Sequence, residues 1–486
     1  MCRRKNRKRK RTGGLVCALA VLAATGVFSL YMAAIALAAP QNPAAEAAAR
    51  KTEPEETAEI VETAEEDAKN GTVPDAGEEN AAIPDAEEEN IAIPDAEESA
   101  GRNPEEPLVV VDAGHGGIDE GCSSGGVLEK DVNLQIALLV REELENMGFR
   151  VVMTRDSDTY LPKEARAEMA NLYMADAYIS IHQNSYEDVS AKGVETWYDE
   201  TDGERDNKRL AQLVHRYVLK NTQAQERELK GDAQLCVTGQ TIMPACLIET
   251  GFLSNDAERG LLTSEEYQKQ IARGIAEGIE LFFRPKTMYL TFDDGPSTEQ
   301  TNAVLDILKA RNIKATFFVV GENVRKNPET ARRIAQEGHT IGIHCNSHDY
   351  EEIYASADSY LQDFEEARQT VLEVTGVDAK LFRFPGGSVN AYNEKVRKQI
   401  VEEMTKNGYI YFDWNASLED AVKKSTPEEL IANAVESTLG RKKVVMLAHD
   451  VAPNTALCLE ELLEQFPEYE MKPLTEYIDP IQFHMP

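Results

Sequence analysis

From Leu108 onward, short apolar runs alternate with amphipathic stretches, and this alternation restricts the chain more than any other feature. Leu108–Val111 is an unbroken aliphatic run, the pattern of a strand buried on both faces. Val132–Met147 repeats apolar residues at helical spacing. Phe149–Met153, Ala177–Ile181 and Ala245–Ile248 read as further strands, and Glu265–Phe283 as a helix. Strand–helix alternation predicts an α/β domain, a mainly parallel or mixed sheet flanked by helices. Arg284-Pro285-Lys286 punctuates the pattern, and a second alternating region runs from Met288–Phe292 to the end. The expected units are therefore 108–284 and 285–486.

The first hundred residues obey other rules. Residues 2–13 carry eight Lys or Arg and no acid, and an uncharged apolar run follows from Leu15 to Ala39. That run exceeds the ~20 residues needed to span a bilayer and the ~7–15 of a signal-peptide core. It is expected to be a transmembrane anchor (15–39) behind a basic cytoplasmic head (1–14). Cleavage near Ala36-Leu37-Ala38, which would make the protein secreted, is the alternative. Either way the basic flank stays inside and the remainder faces outward. Residues 41–107 hold 21 acids against four bases, with almost no aromatics. Residues 40–107 should thus be a disordered acidic linker, since they cannot bury a core. A ten-residue unit recurs there: Val73-Pro74-Asp75-Ala76, Ile83-Pro84-Asp85-Ala86, Ile93-Pro94-Asp95-Ala96. A flexible chain of this length spans ~45 Å, and charge extends it. The net charge of −34 argues against a nucleic-acid partner. Five of the seven Cys lie beyond the anchor at irregular spacing, which does not read as a disulfide framework.

In an open α/β sheet, ligands gather at the carboxyl ends of strands. His115 follows the strand LVVVDAG, His182 closes AYISIH and Glu249 closes ACLIE, while Glu129 precedes the first helix. Two His and one Glu match the ligand set of a catalytic zinc site, which leaves a position open for water. A further carboxylate is then needed to shuttle the proton, and Glu249 is available.

The wording around these residues is specific. VVVDAGHGGIDEG with LEKDVNL, then TRDSD, EMANLYMADAYISIHQNS, KGVETWY and MPACLIETGFLSN, resembles the zinc-dependent N-acetylmuramoyl-L-alanine amidases over about residues 108–283. The resemblance implies zinc held by His115, Glu129 and His182, with Glu249 as catalytic acid/base. It implies cleavage of the amide joining the lactyl group of N-acetylmuramic acid to L-alanine. Asn184 and Arg155 fall in matching motifs. Gln234–Gln240 reads QLCVTGQ where the family often shows a Val-Leu-Arg pattern.

The second region repeats the geometry. The strand MYLTF leads into Asp293-Asp294-Gly295-Pro296, TIGI into His344 with His348 four residues on, LFRF into Arg383, and KVVMLA into His449-Asp450. Such groups at successive strand ends are what a barrel active site needs. Asp294 can bind metal while Asp293 acts as base, and His344 and His348 complete a two-His, one-carboxylate set suited to zinc or another divalent metal.

TFDDGP, ATFFVVGENV, EGHTIGIHCNSHDY, FRFPGGS and VVMLAHD resemble the NodB-like polysaccharide deacetylases over about residues 287–470. The resemblance implies a distorted (β/α) barrel that removes N-acetyl groups from amino sugars. Asp293 would be the general base, oriented by Arg383. His449 would be the general acid, tuned by Asp420, and a backbone N–H near Gly386 would help hold the oxyanion. Many relatives carry Tyr where Gly386 stands, and Asp-Trp where this chain has Asp420-Ala421; Trp414 is a candidate substitute for that Trp.

Together the two resemblances imply a bifunctional hydrolase anchored in the cell membrane, its catalytic domains facing the wall and its substrate peptidoglycan. The alternatives are one active domain of the two, or a wall-binding protein with vestigial sites.

Overall fold

The computed structural model describes residues 106–232, 234–421 and 425–483. The basic head, the candidate anchor and all but the last two residues of the acidic linker lie outside the described residues. Among the described residues, no helix is long and apolar enough to cross a membrane. Cys122, Cys236, Cys246, Cys345 and Cys458 are all free thiols.

The first half is a six-stranded sheet in the order β4-β1-β5-β8-β6-β7, with a two-stranded hairpin, β2-β3, beside it. Its strands are β1 (Leu108–Ala113), β2 (Ser123–Ser124), β3 (Val127–Leu128), β4 (Arg150–Met153), β5 (Ala177–Asn184), β6 (Val194–Tyr198), β7 (Glu226–Gly231) and β8 (Ala245–Phe252). Pairing is parallel except where β6 runs antiparallel to β8, so the sheet is mixed. The central strands are aliphatic because helices cover both faces. Val132, Ile136, Val140 and Leu144 form the buried stripe of helix Glu129–Asn146. Ile271, Ile275 and Ile279 do the same for helix Glu265–Phe283. Gly274 and Gly278 of that helix lie against helix Asn207–Thr222 so closely that an added Cβ would sit 2.6 Å and 2.7 Å from Val218 Cα and Val214 Cα.

The second half is an eight-stranded sheet, parallel throughout, in the order β13-β12-β11-β10-β9-β15-β14, with β16 also on β9. Its strands are β9 (Lys286–Asp293), β10 (Thr316–Val320), β11 (Thr340–Cys345), β12 (Leu381–Phe382), β13 (Ile410–Tyr411), β14 (Ala416–Ser417), β15 (Lys443–His449) and β16 (Tyr469–Lys472). Residues alternate between two cores: Met288, Leu290 and Phe292 of β9 face the helices, while Tyr289 joins Phe318, Leu381, Phe412 and Val445 on the concave side. Leu474, Ile478 and Ile481 of the C-terminal segment close that concave side.

The distorted (β/α) barrel expected from the sequence takes the form of a half-barrel of parallel strands. Its end strands β13 and β14 are only two residues long and do not pair with each other among the described residues. The C-terminal segment supplies the hydrogen bonds there instead, Asp413 N donating to Ile481 O (2.8 Å) and Phe483 N to Asp413 Oδ2 (2.7 Å).

Candidate active sites

In the first half, β1 and β5 lie side by side, so His115, just past β1, reaches the edge where β5 presents His182. β8 pairs with β5 in a register that sets Glu249 opposite His182. Glu129, the first residue of its helix, projects into the same place. His115, Glu129 and His182 each offer a ligand atom within 4.8 Å of one another. Glu129 Oε1 lies 3.0 Å from His182 Nδ1 and 3.3 Å from His115 Nε2. It also accepts from Gln183 N and Asn133 Nδ2, while Oε2 accepts from Cys122 N.

His115 Nδ1 faces Asp119 Oδ2 at 2.9 Å and so must donate, which leaves Nε2 as an acceptor facing the carboxylate of Glu129. Two acceptors at 3.3 Å call for a cation or a proton between them. Burial alone would raise the Glu129 carboxyl, but the two imidazoles hold it well below the ordinary range. Burial opposes protonation of His115, yet Glu129 and then Asp119 carry it up to about 9.

Glu249 is the electrostatic opposite. Burial, then the charges of Glu129 and Glu195, push its carboxyl well above the ordinary value, and its Oε2 is buried without a hydrogen-bond partner. Glu195 reaches it because β6 is antiparallel to β8, with Glu195 across from Glu249. Arg227 Nε (2.5 Å) and Lys230 Nζ (3.1 Å) from β7 neutralise Glu195, and Asn184 Nδ2 donates to it. Arg155 instead braces the loop after β1, donating to Ala113 O, Gly114 O and Lys130 O. A cavity of about 400 Å³ opens over His115 and His182, walled by Tyr160, Pro162 and the stretch Gln234–Val237.

In the second half, Asp293 ends β9 and His449 ends β15, and these are paired residues in the register of the two strands. Arg383, fully buried just past β12, donates to Asp293 Oδ1 (2.9 Å), Thr291 Oγ1 (2.7 Å) and Phe412 O (2.9 Å), so it cannot swing away. Asp420 accepts from His449 N (2.6 Å) and Thr455 Oγ1 (2.6 Å) and lies 2.7 Å from His449 Nδ1. The free imidazole nitrogen of His449 is therefore Nε2. Asp294, His344 and His348 form the second group able to hold an ion. Asp294 Oδ1 is buried without a hydrogen bond, 3.4 Å and 3.3 Å from the Nε2 atoms of His344 and His348. His344 Nδ1 donates to Arg383 O (3.0 Å), so its Nε2 is a lone pair aimed at that oxygen. The donor set again suits a divalent cation.

Asp119, Glu195, Arg227, Lys230 and Thr455 were not singled out by the sequence. Glu195 stands inside KGVETWY, but its relation to Glu249 depends on an antiparallel register that no local pattern announces.

Two α/β domains, each with a two-His, one-carboxylate set gathered at one end of its sheet and a further carboxylate beside it, define a tandem hydrolase. A family model described as N-acetylmuramoyl-L-alanine amidase matches residues 109–281, and one described as polysaccharide deacetylase matches residues 283–407. The germination-specific N-acetylmuramoyl-L-alanine amidase of Bacillus subtilis (strain 168) is 34% identical over 193 residues, 37% of this chain and 81% of that protein. The peptidoglycan-N-acetylglucosamine deacetylase of Bacillus cereus is 32% identical over 187 residues, 38% of this chain and 66% of that protein. The solved catalytic domain of a peptidoglycan N-acetylglucosamine deacetylase from Eubacterium rectale ATCC 33656 is 34% identical, with a TM-score of 0.39, covering 41% of this chain and 93% of that one. The chain belongs to the N-acetylmuramoyl-L-alanine amidases through its first half and to the polysaccharide deacetylases through its second, and is a bifunctional peptidoglycan-modifying hydrolase.

Proposed function

We propose that residues 108–284 cut the amide between the lactyl group of N-acetylmuramic acid and L-alanine, and that residues 285–486 remove N-acetyl groups from the amino sugars of the same polymer. The observation that carries this is the pairing, in each half, of a cation-ready two-His, one-carboxylate set with a separate carboxylate. His115, Glu129 and His182 would hold zinc, and Asp294, His344 and His348 zinc or another divalent ion. When bound, such an ion polarises the scissile carbonyl and acidifies water.

Glu249 takes the proton from the attacking water and returns it to the leaving amine of L-alanine. In the second site Asp293, kept in place by Arg383, takes that proton. His449 protonates the leaving sugar amine from Nε2 while Asp420 holds Nδ1. We further propose that residues 15–39 anchor the chain in the cell membrane and that residues 40–107 lift both domains toward the wall; secretion after cleavage is the alternative for that segment.

The test is mass spectrometry of peptidoglycan treated with the chain, with separate readouts for freed stem peptides and freed acetate. Both products are expected. A strong chelator should abolish both, and added zinc should restore at least peptide release. Unchanged release from verified metal-free protein would refute the metal assignment, and absence of one product would remove that half of the reading.

A further inference from the structure

Glycine stands at position 386, in the loop after Arg383, and offers no side chain of its own there. The space is not empty. Gly386 has φ +74, and a Cβ added there would lie 3.0 Å from a Tyr350 ring carbon and 3.2 Å from its hydroxyl oxygen. The Tyr350 ring thus occupies the flank of Gly386, and a side chain at 386 would displace it.

Tyr350 is held there from three sides. It opens a single helical turn, Tyr350–Ile353, whose N-cap Asp349 accepts from the backbone N–H groups of Glu351 and Glu352. Its ring meets His348 edge-on, with centroids 5.3 Å apart and planes at 88°. One turn on, the Tyr354 hydroxyl donates to Pro385 O (2.8 Å), which ties this segment to the Pro385-Gly386-Gly387 loop. Tyr392 lies across from Tyr350 with ring centroids 5.1 Å apart, and is 57% exposed. The Tyr350 hydroxyl makes no hydrogen bond among the described residues.

Trp414 does something else. It sits on the other side of the loop, near Gly387, edge-to-face with Phe483 (5.0 Å) and over the Arg383 guanidinium (5.7 Å). It is half-buried packing behind Arg383, not the exposed face.

We propose that Tyr350, backed by Tyr392, is the wall on which the pyranose ring of the amino sugar stacks in the second site. A flat ring with a free hydroxyl, next to a metal-ligand histidine, matches a sugar's C–H face and hydroxyl rim. The inference rests on the deacetylase reading and deepens it by naming a ring-recognising residue.

The test compares the full wild-type chain with Tyr350→Ala, Tyr350→Phe and Tyr392→Ala on two substrates. One is an N-acetylglucosamine oligosaccharide, and the other is 4-nitrophenyl acetate, which has an acetyl group but no sugar. Tyr350→Ala should raise KM for the oligosaccharide about tenfold with kcat within about twofold, lowering the ratio of oligosaccharide to ester turnover. Tyr350→Phe should restore most of the loss, and Tyr392→Ala should raise KM by a smaller factor. If Tyr350→Ala does not fold, Tyr350→Leu, which keeps bulk without a flat ring, takes its place. Equal losses on both substrates would make Tyr350 a prop for the loop and overturn the wall, as would unchanged oligosaccharide KM. A wild-type chain that cleaves the ester but frees no acetate from the glycan would instead remove the deacetylase reading itself.

Discussion

Glu249 has a buried, unpartnered carboxylate oxygen and a pKa driven upward by burial and by the charges of Glu129 and Glu195, so it is the group in the first site best fitted to accept a proton. Glu249→Gln keeps the shape and removes that capacity. Peptide release should fall by ~10²–10⁴-fold while bound metal is retained, because general acid–base catalysis contributes about that much. Cleavage within a few-fold of wild type, measured by amine release, would end the assignment. His449 offers a different handle. Burial opposes its protonation, but the Asp420 contact, then the charges of Asp293 and Asp294, carry it from 6.5 up to about 9. Because the folded value is the higher one, the stability it contributes is fully present below 6.5 and is lost as pH rises through about 9. The same protonation keeps this proposed general acid loaded to about 9. Asp420→Asn preserves a hydrogen-bond acceptor but not the charge, so the alkaline limb of acetate release should move toward lower pH. A pH–rate profile with that limb unmoved would show that Asp420 does not tune His449.

The elements explain why these side chains hold their places. Asp112, on β1 and fully buried, accepts from Thr154, Tyr178, Ser180 and Arg166. Arg166 also donates to Ala113 O and His115 O, both 2.7 Å, so one guanidinium fixes the end of β1 and the backbone of a proposed ligand. Arg166→Met would leave Asp112 buried without its cation. Removing one partner of a buried pair costs about 3–5 kcal/mol, so the urea midpoint of the first domain should drop and its metal content with it. A midpoint unchanged from wild type would mean that Asp112 is satisfied by its hydroxyl neighbours alone. Element by element, the sequence was most legible where burial leaves no choice. LVVVDA, ACLIE and KVVMLA are strands because both faces are covered, and helix Glu265–Phe283 was delimited to the residue. β6 and β7 carry no such apolar run. ERELKG has the composition of a solvated segment, and it becomes a strand because Arg227 and Lys230 neutralise Glu195 across the pair. Such pairing exists only once a register is chosen, which is also why no local pattern marks the neighbours of Glu249. The open half-barrel has the same origin, since two-residue end strands are too short to show as periodicity.

For the molecule as a whole, what matters is that helix Glu265–Phe283 ends two residues before β9 begins at Lys286. With so short a junction the halves touch. Arg209 Nε donates to Pro467 O (2.9 Å) and Arg216 Nη1 to Gln465 O (2.8 Å), while Lys208 pairs with Glu464 (3.0 Å). These contacts are polar, the character of an interface between units that keep separate cores. They also sit away from the chemistry in sequence and element. They come from helix Asn207–Thr222 and the segment 464–467, neither of which carries a proposed ligand or a proposed proton carrier. Each site draws only on its own half: His115, Glu129, His182 and Glu249 on the first, and Asp293, Asp294, His344, His348 and His449 on the second. The two activities should therefore separate cleanly by substitution. Asp293→Asn should stop acetate release and leave peptide release within about twofold, and Glu249→Gln should do the reverse, since sites without shared partners act additively. Measuring both products from the same digest decides it. Loss of both products in either single variant, with folding intact by circular dichroism, would mean that the two halves work as one composite site.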